Sequence, residues 1–337
     1  MSADLSDSAA SMRTGIIQTA TVSAIVVVKF MATAILTQAA RVSRMCGAFL
    51  VSIFGNYPTM SSVQSSTPDP SMPAHLRPEV VQAIEEAHEL ARSGDNGGGI
   101  KRLEQALANV SKASDLDEFK ERVSLAMALA EFSVNAGEPQ EAIQRLAAEF
   151  GAAKETFQRI KANGTDDEKR MAFRGLVQLK DLHTRLGLIG EPAPELQMHK
   201  WLNSDSLTLA DLKNQVVLLE FWATWCKPCE QLFPKIKELH ARHAAQNLNV
   251  LALTRYFMAY GGLAEAQEQE MTLIREFTNK HEIRFPVGVA EDESVQSAYG
   301  ATALPMLALI DRTGIVRSFA FSPDDETFQR TLADCLG

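Results

Sequence analysis

The sequence predicts two folded regions, an all-α region followed by an α/β region. Apolar residues recur at helical spacing from Glu79 to about Gly187, which indicates a set of amphipathic helices. A mostly apolar run, residues 216–222, then has the length and composition of a buried strand. Helical spacing follows almost directly, over residues 230–243, so that strand and helix patterns alternate in the last third of the chain.

Length, composition and charge are those of a globular protein. The chain has 337 residues, enough for two domains and an appendage, of which 46% are hydrophobic and 22% charged. Its net charge of −9 gives no general attraction to nucleic acid. Four cysteines in a chain of this length exclude a small disulfide-stapled protein and leave room for one reactive pair.

Residues 1–55 are predicted to form a membrane anchor or an export signal. Residues 15–36 are 22 largely apolar residues, enough to cross a bilayer, although Lys29 lies among them. A second apolar run, residues 45–54, follows two arginines, as in the core of a secretory signal, but no convincing cleavage site follows it. The other interpretation is a poorly ordered or misassigned leader that precedes a later start.

Residues 56–78 are rich in proline, serine and threonine and predict a flexible linker. Residues 1–78 hold five basic and three acidic residues, a charge of +2, so the remainder carries −11. This asymmetry indicates a separate compartment or role for the N-terminus. We therefore expect a membrane-anchored or exported protein on the extracytoplasmic, for example periplasmic, side rather than a cytoplasmic one.

Residues 79–187 are predicted to be a helical domain, because glycine, proline and asparagine separate five helical patterns. One stretch, in which Ala142 follows Gly137 by five residues, resembles a tetratricopeptide helix pair. The other helices do not repeat at a period of about 34 residues, so a strict repeat protein is not indicated. The domain is interpreted as a protein-interaction or dimerisation module, and the alternative is a helical spacer.

A Cys-x-x-Cys pair, Cys226 and Cys229, lies where the strand pattern changes to the helix pattern. The first sulfur then sits at a helix N-terminus, where main-chain N–H groups and the helix dipole favour a thiolate. Lys227 is expected to add a nearby positive charge. The second sulfur lies one turn further along the helix and can close a disulfide.

The competing interpretation of this pair is one half of a zinc site. Structural zinc needs four ligands, commonly from a second Cys-x-x-Cys or a histidine pair. Cys46 and Cys335 are isolated in the sequence, and no such partner motif is present. The spacing therefore favours redox chemistry, with no metal and no organic cofactor.

Residues 221–229, FWATWCKPC, resemble the active-site segment of the thioredoxin superfamily. Residues 190–196, GEPAPEL, and residues 304–314, LPMLALIDRTG, are similar to the opening segment and the cis-proline hairpin of its TlpA/ResA-like thiol–disulfide oxidoreductases. The resemblance covers residues 188–337. It implies an α/β thioredoxin-like fold, with a central mixed sheet flanked by helices, preceded in this chain by the all-α, tetratricopeptide-like helical domain.

The resemblance also implies a role for each site residue. Cys226 would be the attacking thiolate, Cys229 the resolving thiol, and the two would form the redox-active disulfide. Pro305 would be the cis-proline beside them. Trp225, Leu304 and Pro305 would contact the substrate, with the main chain of Leu304 pairing with an extended segment of a partner protein.

Glu220 departs from the expected pattern, because it is an acidic residue in an otherwise apolar strand six residues before Cys226. Strand alternation places it on the same face as Trp222 and opposite Phe221. A buried carboxyl has a raised pKa and could accept a proton from Cys229 during the resolving step. The alternative is a glutamate that reaches solvent at the edge of a sheet.

Other patterns complete the expected fold. Further strands are predicted at residues 248–254, 285–289 and 315–320, an added helix within 261–281, and a closing helix at 322–336. The aromatic segment after the second of the core strands, residues 255–260, is expected either to border the site or to pack beneath the added helix.

The expected function is reduction, or exchange, of disulfides in protein substrates. The partners would be a disulfide-containing protein, an electron-donor thiol protein and, through the N-terminus, a membrane, but no nucleic acid. Two alternatives stay open. One is a thiol peroxidase of the peroxiredoxin-like group, although the loop of that group is absent here. The other is a helical interaction scaffold with an accessory thioredoxin domain, which would need neither thiol.

Overall fold

The computed structural model describes residues 76–110, 115–258 and 264–337. The predicted anchor or export signal, residues 1–55, lies outside the described residues, as does most of the predicted linker. In the part of the chain that the structure describes, no helix is long and apolar enough to cross a bilayer.

Five helices come first along the described chain, which confirms the many helices expected before the α/β region. They are α1 (Pro78–Arg92), α2 (Asn96–Asn109), α3 (Leu116–Asn135), α4 (Pro139–Asn163) and α5 (Asp166–Leu188). Successive helices begin 18, 20, 23 and 27 residues apart. Because this interval grows along the chain, the helices show no constant repeat, and the tetratricopeptide-like pair stays a prediction.

The ends and the packing of α5 follow from local sequence. Thr165 and Glu168 form a reciprocal capping box that starts the helix. Gly175 lets α5 approach α3 closely, since a Cβ atom there would come within 2.7 Å of the Phe119 ring. The helix is therefore fixed against its neighbour, and its C-terminal turns reach the α/β region.

The α/β region contains one six-stranded mixed sheet in the order β1-β4-β3-β2-β5-β6. Its elements are β1 (Lys200–Leu202), β2 (Val216–Phe221), α6 (Lys227–His243), β3 (Leu248–Arg255), α7 (Ala264–Lys280), β4 (Val287–Ala290), α8 (Ser294–Ala298), β5 (Met306–Ile310), β6 (Val316–Ala320) and α9 (Glu326–Leu336). β2, β3 and β4 are parallel, and β1, β5 and β6 are antiparallel to their neighbours. The mixed sheet implied by the resemblance is confirmed.

Helices cover the two faces of this sheet unequally. The long helices α6, α7 and α9 all pack on one face, in the cluster that contains Leu218, Trp222 and Phe233. The short α8 and the end of α5 pack on the other face, in the cluster that contains Phe221 and Tyr299. Side chains of β2 alternate between these two clusters, and all six of its residues are buried.

Two short elements were not predicted from the sequence. β1 has three residues and α8 has five, too few for either hydrophobic period to be recognised. β1 forms through pairing with β4, about ninety residues later, so only the folded chain defines it.

Candidate active site

Cys226 directly precedes α6, after the central strand β2, and Cys229 lies in the first turn of α6. They are joined as a disulfide, with Cα atoms 5.3 Å apart. The main-chain N–H of Cys229 points at Sγ of Cys226, at 3.2 Å. The N-terminus of α6 thus presents a donor to the sulfur of Cys226, and such a donor stabilises a thiolate when the pair is reduced.

Cys226 is the more accessible of the two cysteines. Cys226 is 4% exposed, whereas Cys229 is fully buried. Trp225 is 62% exposed, and its ring meets that of Phe257 edge-on at 5.3 Å. The Arg255 guanidinium lies 4.2 Å from the centre of the Phe257 ring. Phe257 belongs to the aromatic segment predicted at residues 255–260 and packs against the cluster that contains the cysteine pair. The main-chain N–H groups of Phe257 and Met258 also donate to Glu270 of α7, so the described part of the segment meets both expectations.

The side chain of Lys227, expected to add a positive charge near Cys226, forms an ion pair with the carboxylate of Glu230. Glu230 Oε2 accepts a hydrogen bond from Lys227 at 2.8 Å, and its Oε1 accepts one from Lys280 at 3.1 Å. His281 Nε2 lies 3.3 Å from the same Oε1. The two lysine hydrogen bonds lower the pKa of Glu230 to about 2, so this carboxylate stays charged at physiological pH.

Replacing Glu230 with glutamine should speed alkylation of the reduced Cys226 thiol near neutral pH by no more than about threefold, because the change removes an anion and releases the charge of Lys227. The effect is small because solvent screens exposed charges. The pH dependence of Cys226 alkylation, followed by peptide mapping, measures it. The matched control is Glu238→Gln, which removes an exposed ion pair with Arg242 on the same helix. Equal alkylation profiles for the two variants would show that Glu230 does not influence the Cys226 thiol.

Glu220 lies at the centre of the sheet with no exposed surface. Its neighbours across the ladder are Ala252 of β3 and Leu307 of β5. The alternative of a strand-edge glutamate that reaches solvent is therefore wrong, because β2 has a partner strand on each side. Among the described residues neither carboxyl oxygen has a hydrogen-bond partner. Burial raises the pKa of Glu220 well above its ordinary value.

Glu220 points toward the face of the sheet that carries the cysteines. Strand alternation places it with Leu218 and Trp222, whose cluster includes both Cys226 and Cys229. The strand therefore brings a carboxyl with a raised pKa and the buried residue Cys229 to the same side of the sheet.

The Leu304–Pro305 peptide bond is cis and directly precedes β5. Phe221, the last residue of β2, pairs with Met306, the first of β5. This register brings the segment before β5 and the segment after β2 to the same end of the sheet. Leu304 packs against the cluster that contains the two cysteines.

Two buried charged residues of α5, Asp181 and Arg185, hold the loop before this proline. Asp181 Oδ2 accepts hydrogen bonds from the N–H and the hydroxyl of Thr302, at 3.1 and 2.5 Å. Arg185 donates to the carbonyl oxygen of Gly300 at 2.5 Å. The sequence analysis missed both. The available signal was a charged pair, four residues apart, within the apolar stripe formed by Leu179, Leu182 and Leu186.

The described residues contain no group of three or more His, Cys, Asp and Glu side chains that could hold a metal ion. Cys226 and Cys229 are bonded to each other, and Cys335, half-buried in α9, is a free cysteine.

Comparison with known proteins places residues 189–319 in the AhpC/TSA family. The thiol-disulfide oxidoreductase ResA of Bacillus thuringiensis is 32% identical over 128 residues, which are 38% of this chain and 66% of that protein. ResA of Geobacillus thermodenitrificans is 30% identical over 129 residues, 38% of this chain and 67% of that protein. Among solved structures, a putative thiol:disulfide interchange protein DsbE from Chlorobium tepidum is 28% identical, with a TM-score of 0.36, and covers 44% of this chain and 98% of its own.

The family match, residues 189–319, contains β2, the cysteine pair, Glu220 and Pro305. The chain spans just under two thirds of the length of the Bacillus thuringiensis relative. From this similarity, and from the mixed sheet described above, the chain belongs to the thioredoxin superfamily, in the group of ResA-like thiol–disulfide oxidoreductases.

Proposed function

We propose that this protein is a thiol–disulfide oxidoreductase that reduces, or exchanges, disulfides in protein substrates. The observation that carries the proposal is the Cys226–Cys229 disulfide at the N-terminus of α6, where Cys226, next to Trp225, is 4% exposed and Cys229 is fully buried. A structural disulfide needs neither the helix N-terminus nor the unequal access. Both are what a nucleophilic thiol and a resolving thiol require.

The proposed reaction is two successive thiol–disulfide exchanges. In the reduced protein the Cys226 thiolate attacks one sulfur of the substrate disulfide, which forms a mixed disulfide and releases the other substrate sulfur as a thiolate. Cys229 then loses its proton and attacks Sγ of Cys226. The Cys226–Cys229 disulfide forms, the second substrate thiolate leaves, and two electrons have passed to the substrate.

The neighbouring residues would support these steps. Glu220, on the same side of the sheet as Cys229, would exchange a proton with that thiol during the resolving step. Trp225 and Leu304 would contact the substrate polypeptide, with the main chain beside Pro305 available for pairing with an extended segment.

The protein would need an electron-donor thiol protein to return the pair to its reduced form, because the proposed reaction leaves a disulfide. We further propose that the N-terminal residues hold the protein at a membrane or direct its export, which would place the reaction on the extracytoplasmic side. The support for this location is the apolar and basic pattern of residues 15–54.

A redox titration of the full chain tests the proposed activity. In dithiothreitol buffers of graded potential, the Cys226–Cys229 pair should titrate as a two-electron couple, with about 30 mV for each tenfold change in the ratio of oxidised to reduced protein. The reduced protein should also reduce insulin and hydroxyethyl disulfide in a dithiothreitol-coupled assay.

The same preparation separates the alternatives. Rapid stoichiometric oxidation by hydrogen peroxide, without reduction of either disulfide, would indicate a thiol peroxidase. A pair that cannot be reduced without unfolding the protein would indicate a structural disulfide in a scaffold. Either result would overturn the proposed function.

A further inference from the structure

The last helix before the α/β region makes polar contacts with the loop that leads into Pro305. Asp181 accepts two hydrogen bonds from Thr302, and Arg185 donates one to Gly300, across 121 and 115 residues of sequence. Thr302 is only two residues before Leu304. These contacts join the helical region directly to the segment that would pair with a substrate.

The approach of the loop to α5 depends on a glycine. Gly300 has a φ of +59°, a conformation that residues with a side chain rarely adopt. A Cβ atom at this position would also overlap the carbonyl oxygen of Asp181. The loop therefore lies against the backbone of α5 as well as against its side chains.

Asp181 and Arg185 are buried where they contact the loop. The side chains of Asp181 and Arg185 are only 1% and 4% exposed. Among the described residues, Asp181 Oδ1 and Arg185 Nε have no hydrogen-bond partner, so each side chain leaves one buried polar atom unpaired. Apolar residues would pack this interface without that penalty. What the charged pair adds is a fixed set of hydrogen bonds to particular loop atoms.

We propose that Asp181 and Arg185 are positioning residues for the substrate-binding loop, so that the helical region forms part of the site for protein disulfides. The proposal rests on the proposed function and adds to it. Neither residue takes part in sulfur exchange, since both contact the loop and not the cysteines. They hold residues 300–302, and through them Leu304, in the position that an extended polypeptide would meet.

This arrangement makes different demands on large and small substrates. A protein disulfide needs both the sulfur of Cys226 and the main-chain edge at Leu304, whereas a small disulfide needs only the sulfur. Loosening the loop should therefore raise the KM for a protein and leave the reaction with a small disulfide nearly unchanged.

The test uses the full chain with Asp181→Ala, which removes the acceptor for Thr302, and Asp181→Asn, which keeps a side-chain oxygen in its place. Asp181→Ala should raise the KM for insulin about tenfold, which corresponds to about 1.4 kcal/mol. Its kcat/KM for hydroxyethyl disulfide should stay within about twofold of the unmodified protein. Asp181→Asn should have a KM for insulin close to that of the unmodified protein.

Hydrogen exchange provides an independent readout. The Thr302 amide donates to Asp181 and should exchange faster in Asp181→Ala, while amides of β2 keep their protection. Arg185→Met, which removes the donor to Gly300, should also raise the KM for insulin and speed exchange of the Thr302 amide. The matched control is Leu179→Ala, which weakens the packing of α5 without contacting the loop and should change neither the insulin KM nor Thr302 exchange.

The outcomes distinguish the two proposals. If the unmodified protein reduces neither disulfide, the proposed function fails, and exchange at Thr302 still decides whether Asp181 holds the loop. If the protein is active but Asp181→Ala changes both substrates equally, or Leu179→Ala reproduces its effects, the positioning role is wrong and the contacts are structural.

Discussion

Replacing Cys226 with serine is expected to abolish turnover, whereas replacing Cys229 is expected to stop the reaction at a mixed disulfide. A serine hydroxyl cannot replace the thiolate at the N-terminus of α6, so Cys226→Ser should lose at least roughly 1,000-fold in disulfide reduction, as when other nucleophiles are removed. Cys229→Ser keeps the more exposed sulfur and should still attack a substrate. Without a resolving thiol, the covalent complex should accumulate in stoichiometric amount.

Non-reducing mass spectrometry after incubation with oxidised insulin measures this difference. The control is Cys335→Ser, because the thiol of Cys335 is half-buried and its burial raises its pKa to about 11. This variant should turn over at the unmodified rate. Accumulation of the complex in Cys226→Ser instead of Cys229→Ser would reverse the roles assigned to the two thiols.

The parts of the site that could be predicted from the sequence are those with a local signal. A buried strand, the Cys-x-x-Cys pair and a helix follow one another within 28 residues, 216–243, so their spacing alone predicts a sulfur at a helix N-terminus. Pro305 is different, because its place beside the cysteines came from the resemblance of the hairpin that follows it. The pairing of Phe221 with Met306 places the segments that carry Pro305 and the cysteines at the same end of the sheet.

The parts that could not be predicted depend on contacts between distant residues. Lys227 could be identified as a neighbour of Cys226. Its ion pair with Glu230, a carboxylate that also binds Lys280 from the far end of α7, could not. In the sequence, Asp181 is only a polar residue within a helical pattern. Its contact with Thr302 exists only in the folded chain. The burial of Glu220 depends on β3 and β5 closing around β2, and a strand by itself does not reveal whether it is central.

The burial of Glu220 gives the second large expected effect. Glu220→Gln keeps the shape of the side chain but cannot accept the proton of Cys229, so the resolving step should slow by roughly 10- to 100-fold, at the low end of general-base effects. The first attack by Cys226 should change little, because the helix N-terminus stabilises that thiolate. Single-turnover kinetics, with the mixed disulfide and the released thiol followed separately, should show the complex persisting longer.

The same substitution should change how stability depends on pH. Since burial raises the pKa of Glu220, the folded protein keeps a proton that the unfolded chain releases above about pH 4.3. The free energy of unfolding therefore falls as pH rises from there toward the raised pKa, by about 1.4 kcal/mol for each pH unit from this group. Glutamine does not titrate, so Glu220→Gln should lack this contribution. Its free energy of unfolding should therefore increase relative to that of the unmodified protein as pH rises.

Urea unfolding of the oxidised protein at several values between pH 5 and pH 8 measures this contribution separately from sulfur chemistry, because the disulfide-bonded cysteines do not titrate. Glu131→Gln is the matched control for a glutamate whose pKa burial also raises, to about 8, but which lies in α3 away from the cysteines. It should alter the pH dependence of stability and leave the resolving step unchanged. If Glu220→Gln altered stability in the expected direction and resolved the mixed disulfide at the unmodified rate, Glu220 would be a buried structural acid and the proton of Cys229 would leave by another route.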